Sequence, residues 1–405
     1  MQKKRCVIVG TGSRGTESYA KPIANGHLSD ACELVGIFDT VRSRAEICSK
    51  DTGGTPVFDS FEEMLNTTKP DFVIVTTKDA DHHHYTIKAL DMGYDVVSEK
   101  PMTDSRKKAL EIMEAEKRSG HAVRVTFNMR YMKPIVDLKK VMMSGAIGEV
   151  KHIDFSWLLN RSHGADYFRR WHRYLKNSNS LLLHKSTHHF DVVNWVIGNK
   201  APEAVFARGS LDFYGKNGKI RGEYCRACAH AKECPLYVNF EDHDFIKRYY
   251  FDVEEESGYY RDACVFAEDI DIFDRMALNV RYEDGITMNY SLIAYAPDEG
   301  LRLRIVGTKG RLDFESYTSG PHAKDKILIK VIDLDGNESV TETAYELGDH
   351  GGADDKMRDD IFREGPKDDP LGQCATSLAG FNSLAIGDMA VKSIQLGREV
   401  SISEI

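Results

Sequence analysis

Over residues 1 to about 125, short apolar runs alternate with stretches of helical periodicity. Cys6–Val9, Glu33–Phe38, Asp71–Thr76, Asp95–Ser98 and Val123–Val125 read as buried strands, with a shorter one at Pro56–Phe58. Between them, Arg42–Lys50, Phe61–Thr67, Tyr85–Met92 and a long segment from Asp104 or Ser105 to Ser119 read as helices. Ser60 caps the second of these, with Glu63 at capping-box spacing; Gly93 and Gly120 close the last two. Strand alternating with helix predicts a doubly wound parallel sheet. The rhythm then changes. Glu149–Leu158 reads as a strand and Leu181–Ile197 as one helix. Alternating runs follow at Ala204–Phe213, Asp274–Tyr282, Ile286–Tyr295, Leu301–Gly307, Arg311–Glu315 and Lys326–Asp333. Successive strands without helices predict a mostly antiparallel sheet. Ala375–Leu396 returns to helix and stops at Gly397. The fold class is therefore α/β, with a parallel-sheet domain over 1–125. An α+β domain over 126–405 carries a large, mostly antiparallel open sheet. The segment at about 215–260, rich in charge, aromatics and cysteine, reads as an insertion in that sheet.

The first strand ends in Gly10-Thr11-Gly12-Ser13-Arg14-Gly15. In a Rossmann unit, G-x-G-x-x-G turns the chain sharply at the first glycine. It lets amides reach a pyrophosphate at the second and packs the helix on the strand at the third. The second strand ends at Asp39, 24 residues after Gly15, close to the ~20 expected of the acid that binds the adenosine ribose. A carboxylate there favours NAD over NADP, although Arg42 and Arg44 follow and could admit a phosphate. A flavodoxin-like turn without a nucleotide is the alternative; strand, turn, helix and acid together favour the dinucleotide.

The chain has 405 residues, enough for two domains, and its hydrophobic and charged fractions of 41% and 29% are those of a soluble globular protein. A net charge of −9 argues against nucleic acid and anionic membrane surfaces. No apolar run approaches the ~18 residues of a membrane span. The apolar segment after the basic Lys3-Lys4-Arg5 is too short for a signal-peptide core. A cytoplasmic protein with eight reduced cysteines is expected.

Glu99-Lys100-Pro101, at the end of the fifth strand expected in the parallel sheet, resembles the signature of the Gfo/Idh/MocA oxidoreductases, the glucose-fructose oxidoreductase and inositol dehydrogenase relatives. Thr76, Thr77 and His82 fit the family's strand-end and histidine pattern, and Gly145–Val150 its usual lead-in to the second domain. Ser180–Asp191 lines up with its D-x-x-x-H-x-x-D helix, except that His184 stands where relatives carry aspartate. The resemblance spans nearly the whole chain. It implies that Gly10, Gly12, Ser13, Arg14, Gly15, Asp39, Thr76, Thr77, His82, Glu99 and Lys100 surround the cofactor. Lys100 and His188 would handle the proton of a substrate hydroxyl, and His184 would bind or relay. His184 and His188, four apart, would share one helical face. Arg130, Tyr131 and Lys185 are candidate substrate ligands, with domain-interface packing as the alternative for the first two. Asn128 and His350–Asp354 are weaker candidates of the same kind. Tyr167, Trp171, His172 and Arg173 form an aromatic and charged group suited to a polar ring. His184-Lys185-Ser186-Thr187-His188 could also be half a zinc site, but Lys185 replaces the glutamate such a site needs.

Cys225, Cys228 and Cys234 stand at C-x2-C-x5-C spacing, with Cys264 following. Four thiolates would close a structural zinc site, with His230 or His243 as substitutes for Cys264; reduced thiols in an insertion are the alternative. The favoured reading is an NAD-dependent oxidoreductase acting on a secondary hydroxyl of a small carbohydrate, assembled as a homodimer or homotetramer through the open sheet. The alternatives are an NAD-dependent glycoside hydrolase working by transient C3 oxidation and elimination, and a non-catalytic dinucleotide sensor.

Overall fold

A computed structural model describes residues 3–363 and 368–405. Five parallel strands open the chain: β1 (Lys4–Val9), β2 (Cys32–Phe38), β3 (Phe72–Val75), β4 (Asp95–Ser98) and β5 (Val123–Val125), in the order β2-β1-β3-β4-β5. All four residues of β3 are buried, as a strand covered on both faces requires. Successive residues serve opposite layers. Val7, Val9, Val73 and Val75 join one core, and Cys6, Ile8, Phe72 and Ile74 the other. The chain leaves β1 for β2 and returns past it to β3, so the crevice at the switch point lies over the carboxyl ends of β1 and β3. The strand expected at Pro56–Phe58 is reduced to one bridge, Val57 to Ile37, because Pro56 offers no N–H to a ladder.

The second sheet has nine strands: β6 (Val150–Asn160), β7 (Pro202–Ser210), β8 (Arg275–Tyr282), β9 (Thr287–Ala296), β10 (Glu299–Gly307), β11 (Gly310–Ser319), β12 (Ile327–Asp333), β13 (Glu338–Thr343) and β14 (Val400–Ser401). Their order is β13-β12-β11-β10-β6-β9-β8-β7-β14, antiparallel throughout except for the parallel pair β6 and β9. Strand β8 alternates strictly between exposed and buried residues. The inner face packs on the helices Thr187–Val196 and Ser377–Leu396 through Phe190, Val193, Ile386 and Met389. The outer face is polar, with pairs such as Arg302–Glu315 (2.8 Å) and Arg304–Asp313 (2.5 Å) between neighbouring strands. Strand β13 escapes sequence reading because it is an edge strand with five exposed residues of six and no apolar alternation.

One helix expected over Leu181–Ile197 is two, Leu181–His184 and Thr187–Val196. The Ser186 amide donates to Leu181 O (2.8 Å), one residue beyond the α-helical partner, and the Ser186 hydroxyl accepts from the buried Tyr290 (2.8 Å). His184 and His188 therefore do not share a regular helical face.

The helix Ser377–Leu396 ties the domains together, lying on the helix Arg106–Ser119 while the β5 amide of Val125 donates to Ala375 O (3.0 Å). Arg130 serves the same junction. Its guanidinium is 3% exposed and forks onto Asp191 at 2.8 and 2.6 Å, with a third bond to Gly372 O. Among the described residues, no helix is long and apolar enough to cross a membrane.

Removing one partner of a buried ion pair strands the other charge, at a cost of roughly 3–5 kcal/mol. Arg130→Leu is expected to lose stability on that scale in urea unfolding. The double variant Arg130→Met with Asp191→Leu should recover most of it. A single variant as stable as the parent would show that the pair does not hold the junction.

Candidate active site between the two sheets

The glycine turn closes by contact with β3. Gly10 has φ +91°, and a Cβ there would lie 2.8 Å from the Thr76 carbonyl; one on Gly15 would lie 2.1 Å from Gly10 O. The Thr76 hydroxyl donates to Gly10 O (2.5 Å), fixing the turn over the crevice. A cavity of about 1210 Å³ opens there, lined on one side by Gly10, Gly12, Ser13, Arg14, Asp39 and Thr77. The other side is formed by His184, Lys185 and His188 with the aromatic group Trp157, Tyr167 and Trp171.

The Asp39 carboxylate accepts from the Thr11 amide (2.7 Å), the Thr11 hydroxyl (2.9 Å) and the Val41 amide (2.8 Å). It thus locks the end of β2 to the glycine turn and keeps about one acceptor position in hand. Both nearby arginines have protein partners, and Arg44, at the cavity wall, also lies 3.8 Å from Asp39. Arg42 is held by Glu46 and Asp59, and Arg44 donates to Tyr249 O (3.0 Å) with its guanidinium over the Tyr250 ring. Arg14 bridges Glu99 and Asp354, each at 2.7 Å. Burial alone would raise the Glu99 carboxyl, but the Arg14 guanidinium and the Tyr19 hydroxyl outweigh it and hold it below the usual range. His82 is buried, its ring nitrogens facing Pro101 O (2.8 Å) and Thr77 O (3.1 Å), so it staples two strand-end loops at the cavity wall.

Lys100, at the end of β4, projects its Nζ to within 3.2 Å of His184 O. Burial lowers its pKa, with Asp79 and Glu99 pulling the other way. His184 Nδ1 and the Asp79 carboxyl share a hydrogen bond of 2.6 Å, with Asp79 2% exposed. Burial pushes the Asp79 carboxyl up and the His184 imidazole well down, so it favours the uncharged form of each partner. His172 lies 4.0 Å from the His184 ring and stacks on Trp171 at 3.7 Å. His188, which also borders the cavity, has a buried Nδ1 without a hydrogen-bond partner among the described residues, and burial lowers the imidazole pKa well below its usual value. The Lys185 ammonium sits 5.2 Å over the Trp157 ring, and burial lowers its pKa to about 8.

The remaining candidates divide. Asn128 and His350 reach the cavity, and both bond Asp354. Arg130 and Tyr131 do not border it; Tyr131 donates to Asp360 (2.7 Å) and packs on Ala353 and Met357. Arg173 turns away to Asp269 (3.0 Å). Asp79, Trp157 and Tyr250 were missed. Asp79 lies in the polar run Lys78-Asp79-Ala80-Asp81, where nothing but its place after a strand end marks it.

The profile described as oxidoreductase family, NAD-binding Rossmann fold, matches residues 4–127, and that of the family's C-terminal alpha/beta domain matches residues 139–402. The chain belongs to the Gfo/Idh/MocA oxidoreductase family. It is an oxidoreductase with a nicotinamide-cofactor domain. It is 34% identical to YteT of Bacillus subtilis (strain 168) over 426 aligned residues, covering 99% of this chain and 98% of that one. It is 27% identical to D-glucoside 3-dehydrogenase of Escherichia coli (strain K12) over 146 residues, 36% of this chain and 41% of that one. Against inositol 2-dehydrogenase of Corynebacterium glutamicum (strain ATCC 13032) it is 25% identical over 197 residues, 48% of this chain and 55% of that one. An NAD binding oxidoreductase from Klebsiella pneumoniae shares the fold, with a TM-score of 0.69 at 16% identity and 99% coverage of both chains.

The cysteine expectation needs correction. Among the described residues, no three His, Cys, Asp or Glu side chains gather as an ion site. The Cys225 thiol accepts from Arg169 Nη1 (3.2 Å) and the Cys264 thiol from the Phe266 amide (3.4 Å). Cys234 and Cys264 pack against the core of the second domain.

Lys185 offers a direct check of the site's electrostatics. Its ammonium should titrate near pH 8, more than two units below an ordinary lysine. Nuclear magnetic resonance of the dimethylated lysines follows it. Glu299, whose charge favours the ammonium, should lower the midpoint further when changed to Gln. A midpoint above pH 10 in the parent protein would contradict the burial described.

Proposed function

We propose that this protein is an NAD-dependent dehydrogenase of a secondary hydroxyl on a small polyol or sugar. The observation that carries the reading is that one cavity holds the glycine turn, Lys100 and His188 together. The donor set fits the dinucleotide. The helix start after Gly12 suits a pyrophosphate through its dipole. The spare acceptor position of Asp39 suits a ribose hydroxyl, and its carboxylate, 3.8 Å from the Arg44 guanidinium, would repel a 2′-phosphate. When bound, the nicotinamide accepts or returns the hydride. The protein's residues do the rest. His188, neutral through burial, accepts the hydroxyl proton as hydride leaves, while the Lys100 ammonium bonds the same oxygen. Lys185, held over the Trp157 ring, presents a cation to the substrate.

Glycoside cleavage is the second reading, favoured by one observation. The site holds two proton-handling groups, His188 and the Asp79–His184 pair, where alcohol oxidation needs one. With C3 oxidised, His184 would remove the acidified C2 proton, the C1–O bond would break and the leaving oxygen would take a proton. Water then adds to C1–C2, and hydride returns to C3 with no net redox change. The likeness to a D-glucoside 3-dehydrogenase supports this option, as the inositol 2-dehydrogenases support the first.

The polar outer face of the nine-stranded sheet, with Val306, Leu328 and Val340 exposed on it, is assigned to a second copy. A dimer or tetramer is expected by light scattering at micromolar concentration; a monomer mass would exclude the assignment.

The decisive experiment incubates inositols, free sugars and aryl glycosides with NAD or NADP, following reduced nicotinamide and released aglycone. NADH should form with a polyol or sugar. Lys100→Met and His188→Ala should each lower turnover by roughly 10²-fold or more with little change in NAD affinity. Undiminished turnover in His188→Ala would overturn its role as base. Aglycone release without accumulating NADH would establish the second reading in place of the first.

A further inference from the structure

The insertion between β7 and β8 belongs to the second sheet by sequence, yet it is built into the dinucleotide domain. Ile246, Tyr249 and Tyr250 are buried in the same cluster as Cys6, Ile8 and Tyr19 behind β1. The helix Arg42–Asp51, which follows Asp39, carries most of the straps. Arg44 Nε donates to Tyr249 O (3.0 Å), and the Ser43 amide to Glu256 (3.2 Å). The Tyr249 hydroxyl donates to Asp51 (3.0 Å), which also pairs with Arg248. The stem is fixed at the other domain by Arg169 against Cys225 and Leu236 O.

Tyr250 is the residue this arrangement aims at the cofactor crevice. Its hydroxyl accepts from the Ser13 amide at 3.0 Å and lies 3.5 Å from where a Gly12 Cβ would be. Ser13 opens the helical stretch 13–24, so its N–H is one of the amides that a Rossmann unit turns toward a pyrophosphate. A phenol that accepts from this amide keeps its own O–H to donate. Among the described residues the Tyr250 hydroxyl has no second protein partner, and it borders the cavity. The ring is pinned beneath the Arg44 guanidinium, 5.4 Å from its centroid, so the hydroxyl has little freedom to leave.

We propose that the cysteine-bearing insertion is the outer wall of the dinucleotide site, with Tyr250 relaying the Ser13 amide's hydrogen bond to a pyrophosphate oxygen. The inference rests on the nicotinamide dinucleotide reading above and adds a ligand from the other domain. It also gives the insertion a purpose that a metal does not: it encloses the cofactor between both domains.

The test uses the full chain and reads binding directly. NAD, ADP-ribose and adenosine are titrated by calorimetry into the parent protein, Tyr250→Phe and Tyr249→Phe. The phenylalanine keeps the ring under Arg44 and removes only the hydroxyl. Loss of a hydrogen bond to a charged oxygen should weaken NAD and ADP-ribose about tenfold or more. Adenosine, which has no pyrophosphate, should bind both proteins alike. Tyr249→Phe, whose hydroxyl bonds Asp51 outside the cavity, should bind all three like the parent. Unchanged affinity for ADP-ribose in Tyr250→Phe would overturn the proposal while leaving the dinucleotide reading intact. Tighter binding would overturn it as well, since the hydroxyl would then be competing for the phosphate's place. A parent protein that binds no dinucleotide would overturn both.

Discussion

A single buried hydrogen bond, His184 to Asp79 at 2.6 Å, joins the two halves of this protein at the point where their chemistry meets. Asp79 comes from the loop after β3 and His184 from the broken helix of the second domain. Neither could be buried alone without a charge or a bare polar atom facing low dielectric. The bond also sets the imidazole's orientation. With Nδ1 committed to the carboxylate, Nε2 is the nitrogen available to the cavity. Lys100, bonded to the His184 carbonyl, fixes the same short segment from a second strand end. The parallel sheet thus places both the glycine turn and the groups that grip the His184 segment.

Where the resemblance puts an aspartate the chain has His184, and the Asp79 carboxyl reaches its Nδ1 from the opposite domain. The site therefore holds an acidic group and two imidazoles, those of His184 and His188. That is why the two readings of the reaction differ in the number of protons handled and not in the residues involved.

The doubly wound sheet was legible because its strands are covered on both faces and read as unbroken apolar runs. The nine-stranded sheet was legible where alternation was strict, as in β8, and lost where an edge strand had no buried face, as in β13. The residues of the glycine turn, Asp39, Lys100, His184, Lys185 and His188 come together at one cavity. Arg130 misled because a guanidinium near a domain junction serves a buried carboxylate as readily as a ligand. Asp79 and Tyr250 were invisible for another reason: each matters through a partner more than 100 residues away, Asp79 through His184 and Tyr250 through Ser13. The cysteine spacing fitted a metal, but spacing fixes only which thiols are close in sequence; in the fold the Cys225 thiol faces Arg169 and the Cys264 thiol the Phe266 amide.

The central claim is that hydride and proton are exchanged at one place, between Lys100 and His188. A crystal structure with NAD and an inositol bound tests it most directly. The account predicts the nicotinamide ring beside Lys100, with one substrate hydroxyl within about 3 Å of both Lys100 Nζ and a His188 nitrogen. A nicotinamide turned out of the cavity, or a substrate whose hydroxyls reach neither group, would contradict it.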